Sequence, residues 1–123
     1  MDKHILLVED EQDIREAMAE ALTEAGFKVT TAENGEVGLK LALQDKPDLI
    51  LLDIIMPVMD GHEMLKRLRE DPAGKSVKVI MLTSMDGAKD VATAHQENIS
   101  DYIIKVHSSL EDIVKKVRIN ANV

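Results

Sequence analysis

The chain has 123 residues, a length that suits one domain with a substantial hydrophobic core. It carries 23 acidic and 15 basic residues, and the net charge of −8 disfavours binding to nucleic-acid phosphates or to an anionic membrane surface. With one Phe, one Tyr, no Trp and no Cys, it offers little for base stacking and nothing for disulfide or thiol chemistry. No signal peptide or membrane-spanning stretch is evident, so we expect a cytoplasmic protein.

Short apolar segments alternate with segments in which apolar residues recur at helical spacing. The predicted strands cover residues 5–8, 27–32, 49–52, 79–82 and 102–104. The predicted helices cover residues 14–25, 37–44, 64–68 and 87–97, with a last helix from Ser108 or Ser109, where Ser108 and Glu111 have capping-box spacing. Continuous apolar strands are buried on both faces, so this order predicts a doubly wound α/β fold with a five-stranded parallel sheet and five helices.

Polar residues follow four of the predicted strands at the point where each strand ends. They are Glu9 and Asp10 after the first strand, Asp53 after the third, Thr83 after the fourth and Lys105 after the fifth. Acidic residues at a loop start are often helix caps, and Glu9 with Asp10 alone would suit that role. Parallel strands place their carboxyl ends at one edge of the sheet, however, so we expect all these side chains to converge in one cleft.

Three carboxylates in one cleft repel each other, and a lysine or a hard divalent cation relieves that repulsion. Oxygen ligands from Asp and Glu suit Mg²⁺, which keeps room for water and for a phosphate oxygen. A carboxylate can also act as a nucleophile and form an aspartyl phosphate. The residue types therefore predict phosphoryl chemistry at a magnesium site.

Several motifs resemble the receiver domain of two-component response regulators, in the same order and at the same spacing. They are Val8-Glu9-Asp10-Glu11, the Asp-x-x-Met-Pro-x-Met-Asp-Gly stretch at 53–61, Leu82-Thr83-Ser84 and Tyr102-Ile103-Ile104-Lys105. The resemblance covers essentially the whole chain, and the stretch at 53–61 is its most specific part. It implies a flavodoxin-like sheet with strand order 2-1-3-4-5.

The resemblance also implies roles for the residues at the strand ends. Asp53 would be the phosphoacceptor, and Lys105 would contact a phosphoryl oxygen. Mg²⁺ would be held by Glu9, Asp10, Asp53 and the backbone carbonyl of Ile55.

A second group of residues would carry the switch. Thr83 would donate a hydrogen bond to the phosphoryl group, and the small Ser84 would leave space for that group. Tyr102 would rotate inward when Thr83 moves.

Ile55 and Met85 lie two residues beyond Asp53 and Thr83, where they could flank the phosphoryl group. Neither side chain can orient a water molecule, so we expect slow loss of the phosphoryl group.

The function expected from the resemblance is a phosphorylation switch. A sensor histidine kinase or phosphotransfer protein would supply the phosphoryl group, and the chain would catalyse only its own phosphorylation and dephosphorylation. Its affinity for a downstream protein would then change at the face formed by the predicted helix over 87–97, the fifth strand and the last helix. We expect residues 1–123 to form a single receiver domain without an output domain, and no nucleic-acid partner.

One departure from the family pattern concerns the residue after the lysine. The family usually has proline there, commonly in cis, whereas this chain has Val106. A cis bond before a residue other than proline costs about 2.5–4 kcal/mol, which predicts a trans Lys105–Val106 bond.

Two other functions fit the fold class less well. A phosphatase of the haloacid dehalogenase type needs a second Asp two residues after the nucleophile, where this chain has Ile55. A flavodoxin-like binding module needs a phosphate-binding loop after the first strand, where Glu9, Asp10 and Glu11 would repel a phosphate.

Overall fold

The computed structural model describes residues 3–83, 99–105 and 108–123. The strands are β1 (His4–Val8), β2 (Lys28–Ala32), β3 (Leu49–Asp53), β4 (Lys78–Thr83) and β5 (Asp101–Ile104). The α-helices are α1 (Gln12–Glu24), α2 (Gly35–Asp45), α3 (Gly61–Glu70) and α4 (Leu110–Asn120), with a 3-10 turn at Pro72–Gly74.

All neighbouring strands are parallel, and the sheet has the order β2-β1-β3-β4-β5. This confirms the predicted sheet and strand order. The helix count differs from the prediction, because the described residues contain four α-helices and not five. The remaining predicted helix, over 87–97, lies outside the described residues. Within those residues, no helix has the length and apolar character needed to cross a membrane.

The alternation of side chains along β1 and β3 divides the core into two layers. One layer contains residues from the sheet and from α2 and α3, namely Leu6, Val8, Ile50, Leu52, Ala42, Met64, Leu65 and Leu68. The other contains residues from the sheet and from α1 and α4, namely Ile5, Leu7, Leu49, Leu51, Met18, Leu22, Ile113 and Val117. Both faces of the sheet are therefore buried, which explains why these strands are continuously apolar.

The strand register aligns the ends of the strands that precede the polar residues. Val8 of β1 pairs with Leu52 of β3, Asp53 pairs with Leu82 of β4, and Thr83 pairs with Ile104 of β5. The polar residues at these strand ends, or directly after them, therefore emerge at the same edge of the sheet.

The start of α4 differs by one residue from the predicted capping box. Ser109, not Ser108, is the cap, and its hydroxyl accepts a hydrogen bond from the Asp112 backbone N–H at 3.2 Å. The Asp112 carboxylate in turn accepts from the Ser109 N–H at 3.0 Å. The box therefore uses Asp112 instead of Glu111, since a carboxylate three residues after the cap is what reaches back.

Candidate functional site

Three carboxylates meet at the carboxyl edge of the sheet, as the order of strand ends predicted. Glu9, Asp10 and Asp53 can each offer one oxygen, and these oxygens lie within 4.8 Å of one another. Glu9 and Asp53 are 0% and 4% exposed, whereas Asp10 is partly exposed. The cleft is therefore shielded from solvent at Glu9 and Asp53 and open to solvent at Asp10.

A lysine ammonium group lies between two of these carboxylates. The Lys105 Nζ atom is 2.5 Å from Oε1 of Glu9 and 3.1 Å from Oδ2 of Asp53. The other carboxylate oxygen of Glu9 accepts a hydrogen bond from the Glu11 N–H at 3.1 Å. Lys105 thus links the ends of β1, β3 and β5 at one point.

The surroundings of Asp53 change its acidity strongly. Burial raises the pKa of Asp53 from its usual 3.8 to about 7, and the negative charge of Glu9 acts in the same direction. The positive charge and hydrogen bond of Lys105 lower this pKa but do not cancel the rise. Burial alone would lower the pKa of Lys105, but its hydrogen bonds and charge interactions with Glu9 and Asp53 raise it. The ammonium group therefore stays charged at neutral pH, while burial and Glu9 favour the protonated form of Asp53.

The donor set fits a hard divalent cation. All the ligand atoms that the cluster offers are carboxylate oxygens, which suit Mg²⁺, Ca²⁺ or Mn²⁺ better than softer metals. Three carboxylates share one ammonium group in this cleft, and the charge of Glu9 adds to burial in raising the pKa of Asp53. A cation bound among these oxygens would remove this repulsion.

The loop after Asp53 is held close to the sheet by two glycines. The Gly61 N–H donates to the Ile54 carbonyl at 2.7 Å, and the Gly35 N–H donates to the Met59 carbonyl at 3.0 Å. A Cβ atom at Gly61 would collide with the Asp53 carbonyl oxygen, so a larger residue would displace the loop from the end of β3. This accounts for the glycine that ends the motif at 53–61.

A tight turn within the same loop leaves apolar side chains exposed. The Met59 N–H donates to the Pro57 carbonyl at 2.7 Å around Val58, whose φ is 69°. A β-branched residue in this conformation is strained by about 1–3 kcal/mol. Val58 is 74% exposed and Ile55 is 56% exposed, so both side chains lie at the surface and not in the core.

A family model described as "Response regulator receiver domain" matches residues 5–118 of the chain. The chain belongs to this family. The resemblance seen in the sequence motifs is thereby confirmed. Receiver domains of response regulators are regulatory phosphoacceptor switches in two-component signalling.

Relatives and solved structures agree with this assignment. The chain is 39% identical to the transcriptional regulatory protein AfsQ1 of Streptomyces coelicolor, over 82% of this chain and 44% of that protein. It is 31% identical to the response regulator PleD of Caulobacter vibrioides, over 98% of this chain and 26% of PleD. The chemotaxis response regulator CheY4 of Vibrio cholerae has a similar structure, with a TM-score of 0.90, 27% identity and coverage of 98% and 99% of the two chains.

The chain spans less than half the length of AfsQ1 and of PleD. CheY4, in contrast, is matched over nearly all of its chain. Relatives of this receiver domain therefore include both longer regulators and short ones. The predicted absence of a nucleic-acid partner stays a prediction, since AfsQ1 is named as a transcriptional regulatory protein.

The two predicted switch residues lie on neighbouring strands of the receiver domain. Thr83 is 3% exposed at the end of β4, and Tyr102 is half-buried on β5, two residues before the Ile104 that pairs with Thr83. Tyr102 packs against the core layer of α2 and α3, and the Lys116 Nζ lies 5.5 Å from the centre of its ring. Ser84, Met85 and the Lys105–Val106 bond lie outside the described residues.

Sequence reasoning missed one residue beside the cleft. The Arg15 guanidinium on α1 donates hydrogen bonds to the backbone carbonyls of Glu9 and Asp10, at 2.8 and 3.2 Å. An arginine five residues after Asp10, in the first turn of the helix that follows the acidic pair, was a visible signal for such a contact. Its targets are backbone atoms, however, and they cannot be identified from residue types.

Proposed function

We propose that this receiver domain accepts a phosphoryl group on Asp53 from a histidine kinase or phosphotransfer protein, in a reaction that requires Mg²⁺. The phosphorylated chain then binds a downstream protein with a different affinity. The observation that carries this proposal is the buried Asp53 carboxylate, which has the Lys105 Nζ atom 3.1 Å away. Oxygens of two further acids, Glu9 and Asp10, lie within 4.8 Å of an Asp53 oxygen.

The chemistry proposed for Asp53 is an in-line displacement at phosphorus. A carboxylate oxygen of Asp53 forms the new P–O bond, and the bond from phosphorus to the donor breaks, with its electron pair leaving on the donor atom. Only the deprotonated carboxylate is a nucleophile. Burial and the charge of Glu9 raise the pKa of Asp53, and a cation bound among the acids would favour its deprotonated form.

Lys105 and the acidic residues would stabilise the charge that develops during transfer. Lys105, already 3.1 Å from Oδ2 of Asp53, is placed to donate to an oxygen of the phosphoryl group. Glu9, Asp10, Asp53 and the backbone carbonyl of Ile55 would hold Mg²⁺. When bound there, the ion neutralises negative charge on the carboxylate and phosphoryl oxygens.

The proposed output runs through Thr83 and Tyr102. A phosphoryl group on Asp53 offers acceptor oxygens near the end of β4, where the Thr83 hydroxyl lies buried. Movement of Thr83 toward it would allow the half-buried Tyr102 ring to turn inward, and so change the surface of β5 and α4. Residues 1–123 would act in this way as a single receiver unit that signals through a protein partner.

Incubation of the purified chain with a small acyl phosphate tests this proposal. We expect the intact mass to rise by one phosphoryl group in the presence of Mg²⁺ and to stay unchanged in a chelator. Addition of the phosphoryl group at the same rate in chelator would contradict the metal dependence, and no addition under either condition would contradict the acceptor role.

The lifetime of the phosphorylated state provides a separate prediction, because Ile55 is exposed two residues after Asp53 and would flank the phosphoryl group. Ile55→Asn introduces an amide that can orient a water molecule for attack on phosphorus, so we expect loss of the phosphoryl group to accelerate severalfold. The measurement is phosphate release after removal of the donor. Ile55→Val keeps an apolar side chain and is the matched control, expected to match the wild type. Equal lifetimes for all three proteins would contradict a role of Ile55 in limiting dephosphorylation.

A further inference from the structure

We propose that Arg15 is a positioning residue for the cation site, because it fixes the backbone that carries Glu9 and Asp10. The inference deepens the proposed function and rests on it. The Arg15 guanidinium group would not touch the cation or the phosphoryl group. It would act by fixing the direction in which the Asp10 carboxylate points.

The hydrogen bonds of Arg15 determine the backbone on both sides of Asp10. One guanidinium nitrogen, Nη1, donates to the Glu9 carbonyl at 2.8 Å and to the Asp10 carbonyl at 3.2 Å. The first carbonyl belongs to the peptide unit before the Asp10 Cα atom, and the second belongs to the unit after it. Because each peptide unit is planar, holding both carbonyls restricts the two backbone dihedrals of Asp10.

The position of the Asp10 carboxylate depends on this backbone more than the position of the Glu9 carboxylate does. Glu9 is buried and bonded to Lys105, and the N–H of Glu9 donates to the Ala32 carbonyl at 3.0 Å. Within residues 3–83, 99–105 and 108–123, no hydrogen bond holds the Asp10 carboxylate itself. Its place within 4.8 Å of the other two acids therefore follows from the direction of its backbone.

The helix start gives no substitute for this contact. Glu11 is the N-cap residue of α1, and its side chain makes no capping hydrogen bond. The Arg15 N–H donates to the Glu11 carbonyl at 2.9 Å, so the arginine is itself anchored in the first turn of α1. Arg15 thus joins the first turn of α1 to the loop that carries two of the three acids.

Geometry and charge make opposite predictions for the loss of Arg15. A fixed guanidinium charge near the cleft would repel a divalent cation, and its removal alone would tighten cation binding. Loss of the two carbonyl contacts would loosen the Asp10 carboxylate and weaken binding, since residues that orient ligands typically contribute about 10–100-fold to metal affinity. We expect the geometric effect to dominate.

Two substitutions separate these effects in the full chain. Arg15→Lys keeps the charge but places its nitrogen on a shorter side chain, and Arg15→Met removes both the charge and the donor. We expect the Mg²⁺ Kd, measured by calorimetry, to rise severalfold in Arg15→Lys and about tenfold or more in Arg15→Met. Arg67→Met is the matched control on α3, where Arg67 is exposed and pairs with Glu63, and its Kd should stay within about twofold of the wild type.

A kinetic readout distinguishes positioning from general damage to the fold. In acyl phosphate reactions, the Mg²⁺ concentration for half-maximal rate should rise in both Arg15 variants, while the rate at saturating Mg²⁺ stays near that of the wild type. Wild-type Kd values in both variants, or tighter binding in Arg15→Met, would overturn the inference and leave the proposed function intact. A wild-type chain that binds no Mg²⁺ would overturn both.

Discussion

Replacement of Asp53 with asparagine is expected to stabilise the fold at pH 8 while it abolishes phosphorylation. Asp53 has a pKa of about 7 in the folded chain and 3.8 as its usual value, so the folded state holds a proton that the unfolded state has lost between these pH values. The stability that this proton provides is fully present below pH 3.8 and is lost as the pH rises through about 7. Wild-type stability should therefore fall over this range, by an amount on the order of 3 kcal/mol.

Urea unfolding in a chelator at a series of pH values measures this effect. Asp53→Asn cannot ionise, so its excess stability over the wild type should be largest at pH 8 and should shrink toward pH 4. Glu20→Gln removes an exposed carboxylate from the middle of α1, and it should show no such trend. A pH-independent difference between Asp53→Asn and wild type would contradict the raised pKa.

Replacement of Lys105 with methionine should have the opposite effect on stability. Among the described residues, the Lys105 ammonium group is the only cation within 4.0 Å of the Glu9 and Asp53 carboxylates. Removal of one partner from a buried charge pair costs about 3–5 kcal/mol, because the remaining charges stay without compensation. In a chelator at pH 8, Lys105→Met should therefore unfold at a much lower urea concentration than the wild type.

The Lys105→Met variant should also differ from the wild type in its response to Mg²⁺ and in its rate of phosphorylation. Addition of Mg²⁺ should restore part of the lost stability, since the cation replaces the missing positive charge. The phosphorylation rate should stay about 100-fold or more below that of the wild type, because a donor to the transferring group is missing. Lys40→Met, at an exposed position of α2, is the control and should change neither quantity. Wild-type phosphorylation by Lys105→Met would contradict the role given to the lysine.

The main features of the fold were predictable because a buried parallel sheet leaves a strong sequence pattern. The run Leu49-Ile50-Leu51-Leu52 is apolar on both faces, and the structure buries all four residues. Asp53 could be placed at the sheet edge because it follows this run directly. Element boundaries were less predictable. Phe27, predicted in the second strand, precedes β2, and its N–H donates to the Leu22 carbonyl at the end of α1.

The site was predictable in composition but not in its contacts. The strand ends identified Glu9, Asp10, Asp53 and Lys105 as neighbours. They could not show that Lys105 would bind Glu9 more closely than Asp53, because that depends on side-chain length and on the path of the loop. The pKa of Asp53 was unpredictable for the same reason, since it results from burial and from distances to charged neighbours.

The location of the added phosphoryl group tests the central claim most directly. The wild type and Asp53→Asn are treated with a small acyl phosphate and Mg²⁺, and the modified residue is identified by fragmentation of the intact chain. We expect one phosphoryl group on Asp53 in the wild type and none in Asp53→Asn. A phosphoryl group on another residue of the wild type, or undiminished labelling of Asp53→Asn, would contradict the account.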